Sequence, residues 1–298
     1  MNDAVTEGAD DGHKEILFSH WVLWESCIVA WKNIYIVLVA GLIFTMTGTF
    51  ELYVSTHNAL AVANEETATF GPLVMMIFWG AQVAITSIAL AILMYAVHST
   101  VLDGASGWAV FAGDGKTKLK KLALRIFMAL MVPLLVALLL QGLTALMGFK
   151  AGDRIHGGLG VIVFVGFAIF VVLSGVSLIL LITWPASVIW SNYATLRQAY
   201  YRGKKVFWYV LGRNVMLLPA MMALQLLIAV IFLPIVTTVL GAKDKTDVAL
   251  KFFSPGFAFS ISALNSLLAV VWFVLLSVII SRALQIGDWR LRNSQSGT

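Results

Sequence analysis

Five histidines, fifteen carboxylates and a single cysteine are the residues of this 298-residue chain that could carry acid–base, metal or nucleophilic chemistry. His13, His20, His57, His98 and His156 are scattered, and no two fall at metal-ligand spacing on one helix. Cys27 stands alone, which excludes an intramolecular disulfide and a cysteine-based zinc cage; a plain small apolar residue describes it better than a lipidation site. Asp153 and His156 share one loop, and His98 and Asp103 flank the end of a hydrophobic run. Acid–base catalysis needs a shaped pocket and further partners, so a solvated loop position is the simpler reading of both pairs. GDGKT at 113–117 ends like a phosphate-binding loop, but that loop needs a glycine where Val110 stands. Neither a metal nor another cofactor is expected.

The elements that would position any such group are hydrophobic. Sixty per cent of the residues are apolar, 12% are charged, and the mean hydropathy is +0.91. A soluble domain carries about a quarter charged residues to cover its surface. The deficit points to an outer surface that faces lipid. Runs of about 20 apolar residues recur, as a hydrocarbon core of roughly 30 Å requires, and the short alternating segments of a membrane barrel are absent. The expected class is an all-α polytopic membrane protein.

Six spans are expected, at about 33–50, 72–97, 126–149, 159–182, 214–240 and 256–281. The domain layout is an acidic disordered tail over 1–16, one six-helix transmembrane domain over 17–285 and a C-terminal tail over 286–298. So drawn, the spans hold no Asp, Glu, Lys, Arg or His, which argues against ion-coupled transport. Their polar residues, Gln82, Thr86, Gln141, Thr144, Gln225 and Asn265, have interhelical hydrogen bonding as their default role, at about 0.6 kcal/mol each. Fifteen of the 20 Lys and Arg residues fall on one side of this topology, including Lys116, Lys118, Lys120, Lys121 and Arg125. That asymmetry places both termini in the cytoplasm. A basic protein of this kind meets anionic lipid headgroups rather than nucleic acid.

Two lead-ins share a pattern. Ser26, Ala30, Trp31 and Gly41 align with Thr195, Ala199, Tyr200 and Gly212, as a parallel repeat with two extra residues in the later copy. Leu17, Trp21, Trp24, Ile28 and Trp31 form one apolar helical face, and Ile189, Tyr193, Leu196 and Tyr200 another, with Ser191, Thr195, Gln198 and Arg202 opposite. Tryptophan and tyrosine favour the headgroup zone, so both segments, about 17–32 and 187–205, read as amphipathic interfacial helices on the cytoplasmic face. The candidate lipid-contacting residues are Trp21, Trp24, Trp31, Lys32, Arg197, Arg202, Lys204, Lys205 and Trp208. Small-residue stripes, Gly80, Ala84, Ser87 and Ala91 in one span and Ser262, Ser266 and Ala269 in another, should face other helices, in the bundle interior or across an oligomer seam.

Pro185, Thr195, Leu196, Ala199, Tyr200, Lys204, Phe207, Trp208, Leu211 and Gly212, with VHSTVLDG at 97–104, resemble the bacterial membrane domain fused to glycerophosphodiester phosphodiesterases and its stand-alone relatives. The phosphodiesterase domain is absent, so the resemblance carries over no catalytic residue. It implies a six-span module that anchors, scaffolds or senses.

The resulting expectation is a non-enzymatic bacterial inner-membrane protein that binds lipids or other membrane proteins, or itself as a homo-oligomer. The alternative is a permease or export-system subunit for an uncharged or amphiphilic substrate, suggested by Pro219 and Pro234 within one span. A lipid-modifying enzyme ranks third, because the acid–base constellation is weak.

Overall fold

In lipid, backbone amides must find partners within their own segment, and a chain this apolar meets that demand by forming helices. The computed structural model describes residues 22–63, 72–146, 165–166, 172, 175–190, 195–239 and 255–296, and among them there are helices and short turns but no strand. Helix α1 covers Val22–Lys32, α2 Ile34–Ala63 and α3 Pro72–Leu102. A 3-10 turn at Gly107–Phe111 leads into α4, Gly115–Leu146; then come α5, Thr183–Trp190, α6, Leu196–Val239, and α7, Pro255–Ser296.

Four stretches are long and apolar enough to cross a membrane: Ile34–His57, Val74–Leu102, Leu196–Ile228 and Gly256–Asn293. They overlap four of the six expected spans, the third only in part: Leu196–Ile228 begins well before 214–240. Of the other two, 126–149 begins on α4, which stays helical to Leu146, and 159–182 lies largely outside the described residues. The helices outrun the expected limits, and in doing so they take in Glu51, His57 and His98. The spans are therefore not free of ionisable groups.

Helix α7 is the central post, packed against α1, α2, α3, α5 and α6. Val274, Val278, Ile279, Ala283, Leu284 and Ile286 are all buried on it. The expected tail from 286 is thus a continuation of this helix. Ile286 is 1% exposed, and a Cβ at Gly287 would lie 3.3 Å from that of Arg202.

The start of α2, the end of α3 and the end of α7 meet at one end of the bundle, which also gathers the basic residues and is called the basic end below. Asn33 organises it. The residue is 1% exposed, sits in the turn between α1 and α2, and donates from Nδ2 to the Val29 carbonyl and to Thr100 Oγ1, both at 2.9 Å. Its Oδ1 accepts the Gly107 amide, also at 2.9 Å. Gly107 adopts φ +66°, a left-handed conformation that a side chain would disfavour, and so can aim that amide. Each such bond contributes about 1 kcal/mol, and an unmade one costs more in a buried setting.

Three arginines tie helices together here. Arg282 of α7 holds Glu25 of α1 with both carboxylate oxygens, at 2.5 and 3.3 Å. Arg125 of α4 donates to the Trp184 carbonyl at 2.6 Å and lies 4.8 Å from the Trp184 ring centroid. Arg202 of α6 faces Asp288 of α7 at 3.6 Å. A side chain that reads as an interfacial cation can therefore serve as an interhelical strut.

Candidate functional site

The second lead-in builds the most developed site. Thr195 and Gln198 form a capping box at the start of α6: the Thr195 amide donates to Gln198 Oε1 and the Gln198 amide to Thr195 Oγ1, each at 3.2 Å. From this start α6 runs as one helix through Pro219 and Pro234 to Val239. The expected interfacial helix over 187–205 is thus two pieces. One is α5, and the other is the opening turns of α6, continuous with the apolar stretch that follows. The broken helix that favoured a permease is not present.

Ala199, Arg202, Gly203, Val206 and Val210 are the residues of α6 buried at this end. Gly203 makes the closest approach. A Cβ there would stand 1.9 Å from the carbonyl oxygen of Leu180, so only glycine fits the crossing as built. The face expected to seek lipid, with Leu196 and Tyr200, is exposed, and Arg202, assigned to the opposite polar face, is the residue that turns inward. Its assignment as an exposed lipid contact is corrected: Arg202 is 3% exposed and its stem packs on Gly287.

What Arg202 does with its charge defines the site. Its Nε donates to the Gln198 carbonyl at 3.4 Å and faces Asp288 Oδ1. No further hydrogen bond joins its guanidinium to the described residues, and Arg202 helps to line a cavity of about 640 Å³ with Trp190 of α5, Gln198 and Tyr201 of α6, and Asp288, Leu291 and Arg292 of α7. Burial, and after it the positive charge of Arg202, holds the Arg125 guanidinium below its ordinary value. A guanidinium fork with free donors between aromatic walls suits a planar or tetrahedral oxyanion. The lone acid, Asp288, comes within 3.6 Å of Nε.

Around this cavity the other collar residues are exposed. Arg197 lies over Tyr201 at 5.8 Å and Lys204 over Tyr200 at 4.7 Å. Lys205 is exposed, its carbonyl accepting a hydrogen bond from Arg290, and Trp208 is 79% exposed. On α1, Trp24, Trp31 and Lys32 are exposed while Val22, Ser26 and Val29 face the bundle. Trp21 lies outside the described residues.

The small-residue stripes divide. Ser87, Ala91, Ser262 and Ser266 are buried, and Ala84 and Ala269 are half-buried. Gly80 has no atom within 4 Å of where a Cβ would stand. Two further small pairs at four-residue spacing are Ala199 with Gly203, where Gly203 faces the Leu180 backbone, and Ala283 with Gly287, where Gly287 faces Arg202 and Val206 of α6. That spacing was the signal that could have found them.

His98 is not the solvated residue its position suggested. It is fully buried against α7, with Nδ1 2.6 Å from Ser281 Oγ. Ser281 uses its own proton on the Ser277 carbonyl at 2.9 Å, so His98 Nδ1 carries the hydrogen and donates. Its Nε2 is sealed without a partner among the described residues. Asp103 is exposed, and Asp153 and His156 lie outside the described residues. No cluster of three or more metal-ligating side chains occurs among the described residues.

Comparison with protein-family models, with curated proteins and with solved structures yields no match, so the reading rests on this geometry alone.

Proposed function

We propose that this chain is a bacterial inner-membrane protein of about six spans whose basic end faces the cytoplasm and binds anionic lipid headgroups without catalysing a reaction. The carrying observation is Arg202: a buried guanidinium with free terminal donors, opening on a 640 Å³ cavity walled by Trp190, Tyr201 and Arg292. Burying a cation is costly, and the cost is recovered when an oxyanion completes its hydrogen bonds. The exposed Arg197, Lys204 and Lys205 would raise the local concentration of anionic lipid at the mouth, at about 1 kcal/mol per base. The clustering of Lys and Arg at this end supports its cytoplasmic placement. The second lead-in resembles a membrane module that also occurs in stand-alone relatives without the phosphodiesterase domain, which fits binding rather than chemistry.

The test is native mass spectrometry of the protein released from nanodiscs containing phosphatidylglycerol and phosphatidylethanolamine. Wild type is expected to retain phosphatidylglycerol, and Arg202→Gln to lose it by about tenfold or more, the loss of one charge-assisted hydrogen bond. Equal retention of both lipids by both proteins would sink the proposal. A stoichiometric protein partner in place of lipid would make the collar a docking surface.

A further inference from the structure

Helix α6 belongs to a stretch able to cross a membrane, yet the last of its described residues to be buried is Val210. From Leu211 to Ile228 none is. Val215, Leu218, Met222, Leu226 and Val230 are each more than half exposed. Lipid tails accept an apolar helix on every side, so exposure alone selects no face for protein contact.

Gln225 does. It is exposed in the same segment and makes no hydrogen bond among the described residues. It stands 12 residues beyond Arg213, the last basic residue of α6, and so about 18 Å along the helix at 1.5 Å per residue. That places it near the middle of a hydrocarbon core of roughly 30 Å, where no water can satisfy the two donors and the acceptor of a primary amide. The default role of such an amide is a bond between helices, and within the described chain no helix supplies it.

The residues spaced before it indicate the kind of partner. Leu211, Val215, Leu218, Met222 and Gln225 follow at intervals of four, three, four and three, the a and d positions of a heptad repeat. Gln225 takes an a position, where a polar residue fixes register and oligomeric state. Two copies of the chain inserted with one topology meet with their α6 helices parallel, about a two-fold axis along the membrane normal. Gln225 then faces Gln225 at the same depth, and two amides, each donor and acceptor, satisfy one another. A different protein would have to supply a matching polar group at that depth.

We propose that this stripe is a homodimer seam, on which a second copy of the chain packs its own α6 and pairs Gln225 with Gln225. The seam is separate from the anion site at the basic end: Arg202 and Gln225 lie 23 residues apart on α6, about 35 Å at 1.5 Å per residue.

Subunit counting by single-molecule photobleaching tests it, on the full chain in phosphatidylglycerol–phosphatidylethanolamine liposomes over a range of protein-to-lipid ratios. Wild type is expected to bleach in two steps at high ratio and in one on dilution. Gln225→Leu is expected to shift that midpoint about tenfold toward monomer, the loss of two interhelical hydrogen bonds. Single steps for wild type at every ratio, or the wild-type midpoint in Gln225→Leu, overturn the proposal. Oxidative cross-linking in a Cys27→Ser background locates the seam without disturbing the amide. Leu218→Cys, on the stripe, is expected to yield a disulfide-linked dimer, and Ala220→Cys, about 200° around the helix, to remain monomeric. Preferential linking through Ala220→Cys, or a Leu218→Cys product that contains a different protein, overturns it as well.

Discussion

Ser26, Ala30, Trp31 and Gly41 repeat as Thr195, Ala199, Tyr200 and Gly212, yet α1 stops at Lys32 and yields to α2 across Asn33, whereas α6 runs unbroken from Leu196 to Val239. In the first copy a buried amide side chain holds the turn, bonded to α3 through Thr100 and to the 3-10 turn through Gly107. In the second a capping box starts the helix, and Gly203 then lets it cross the backbone at Leu180 at the closest range found among the described glycines. The aromatic residues described on these faces, Trp24 and Trp31 in the first copy and Tyr200 in the second, point away from the bundle, whereas Ile189 of the second is buried. What distinguishes the two is the buried face, where one residue, Asn33 or Gly203, decides whether the chain turns or continues. Lateral packing sets the geometry, and the shared pattern describes only the surface turned to the surroundings.

The sharpest way to break this contrast is Gly203→Ala. Alanine is the better helix former, by about 1 kcal/mol, yet its Cβ would overlap the Leu180 carbonyl. A net loss of about 3 kcal/mol is expected, read as early unfolding in a detergent thermal melt followed by size-exclusion retention. Gly212→Ala, with no atom within 4 Å of its new methyl, should melt within about 0.5 kcal/mol of wild type. Equal melting of the two variants would dissolve the contrast.

Next in size is Asn33→Leu, which strands the Gly107 amide and a bond to Thr100. It should cost about 2 kcal/mol in the same melt. Asn33→Asp, which keeps the acceptor for Gly107, should recover part of that loss; no recovery would mean that the turn does not depend on this bond.

Smaller effects belong to the exposed faces. Replacing Lys204 and Lys205 together by alanine should leave the melt unchanged and weaken association with anionic vesicles by about 1 kcal/mol per base, seen by flotation. An altered melt with unaltered flotation would recast both lysines as structural. Trp31→Ala, at a side chain 76% exposed, should shift stability by no more than about 0.5 kcal/mol, and a larger shift would show that its face packs on protein.

The membrane class and four spanning helices were legible because hydropathy reports the transfer of chain from water to lipid. The same quantity is blind to which side of a helix meets protein, since a leucine against lipid and a leucine against leucine look alike. That is why the ends of α2, α3 and α7 ran beyond their expected limits and took in Glu51, His98 and Asp288. Arg202 was assigned to lipid headgroups because a cation near an interface carries no mark that distinguishes a snorkelling side chain from an interhelical strut. Asp288, the one acid in the basic stretch from Arg282 to Arg292, was the available hint. The histidine–serine contact joins residues 183 positions apart, and no local pattern announces it.

Helix α7 touches five of the other helices, and every one of them precedes it along the chain. During vectorial synthesis, at roughly 5 to 20 residues per second, α2 emerges some 10 to 40 s before its principal neighbour exists. Until α7 is made, His98 and Glu25 lack their partners Ser281 and Arg282, and the early helices must be held by the bilayer, by one another or by an insertion factor. Assembly is therefore completed from the carboxyl-terminal side, and a ribosome stalled before Pro255 would leave helices inserted yet without the post that joins them.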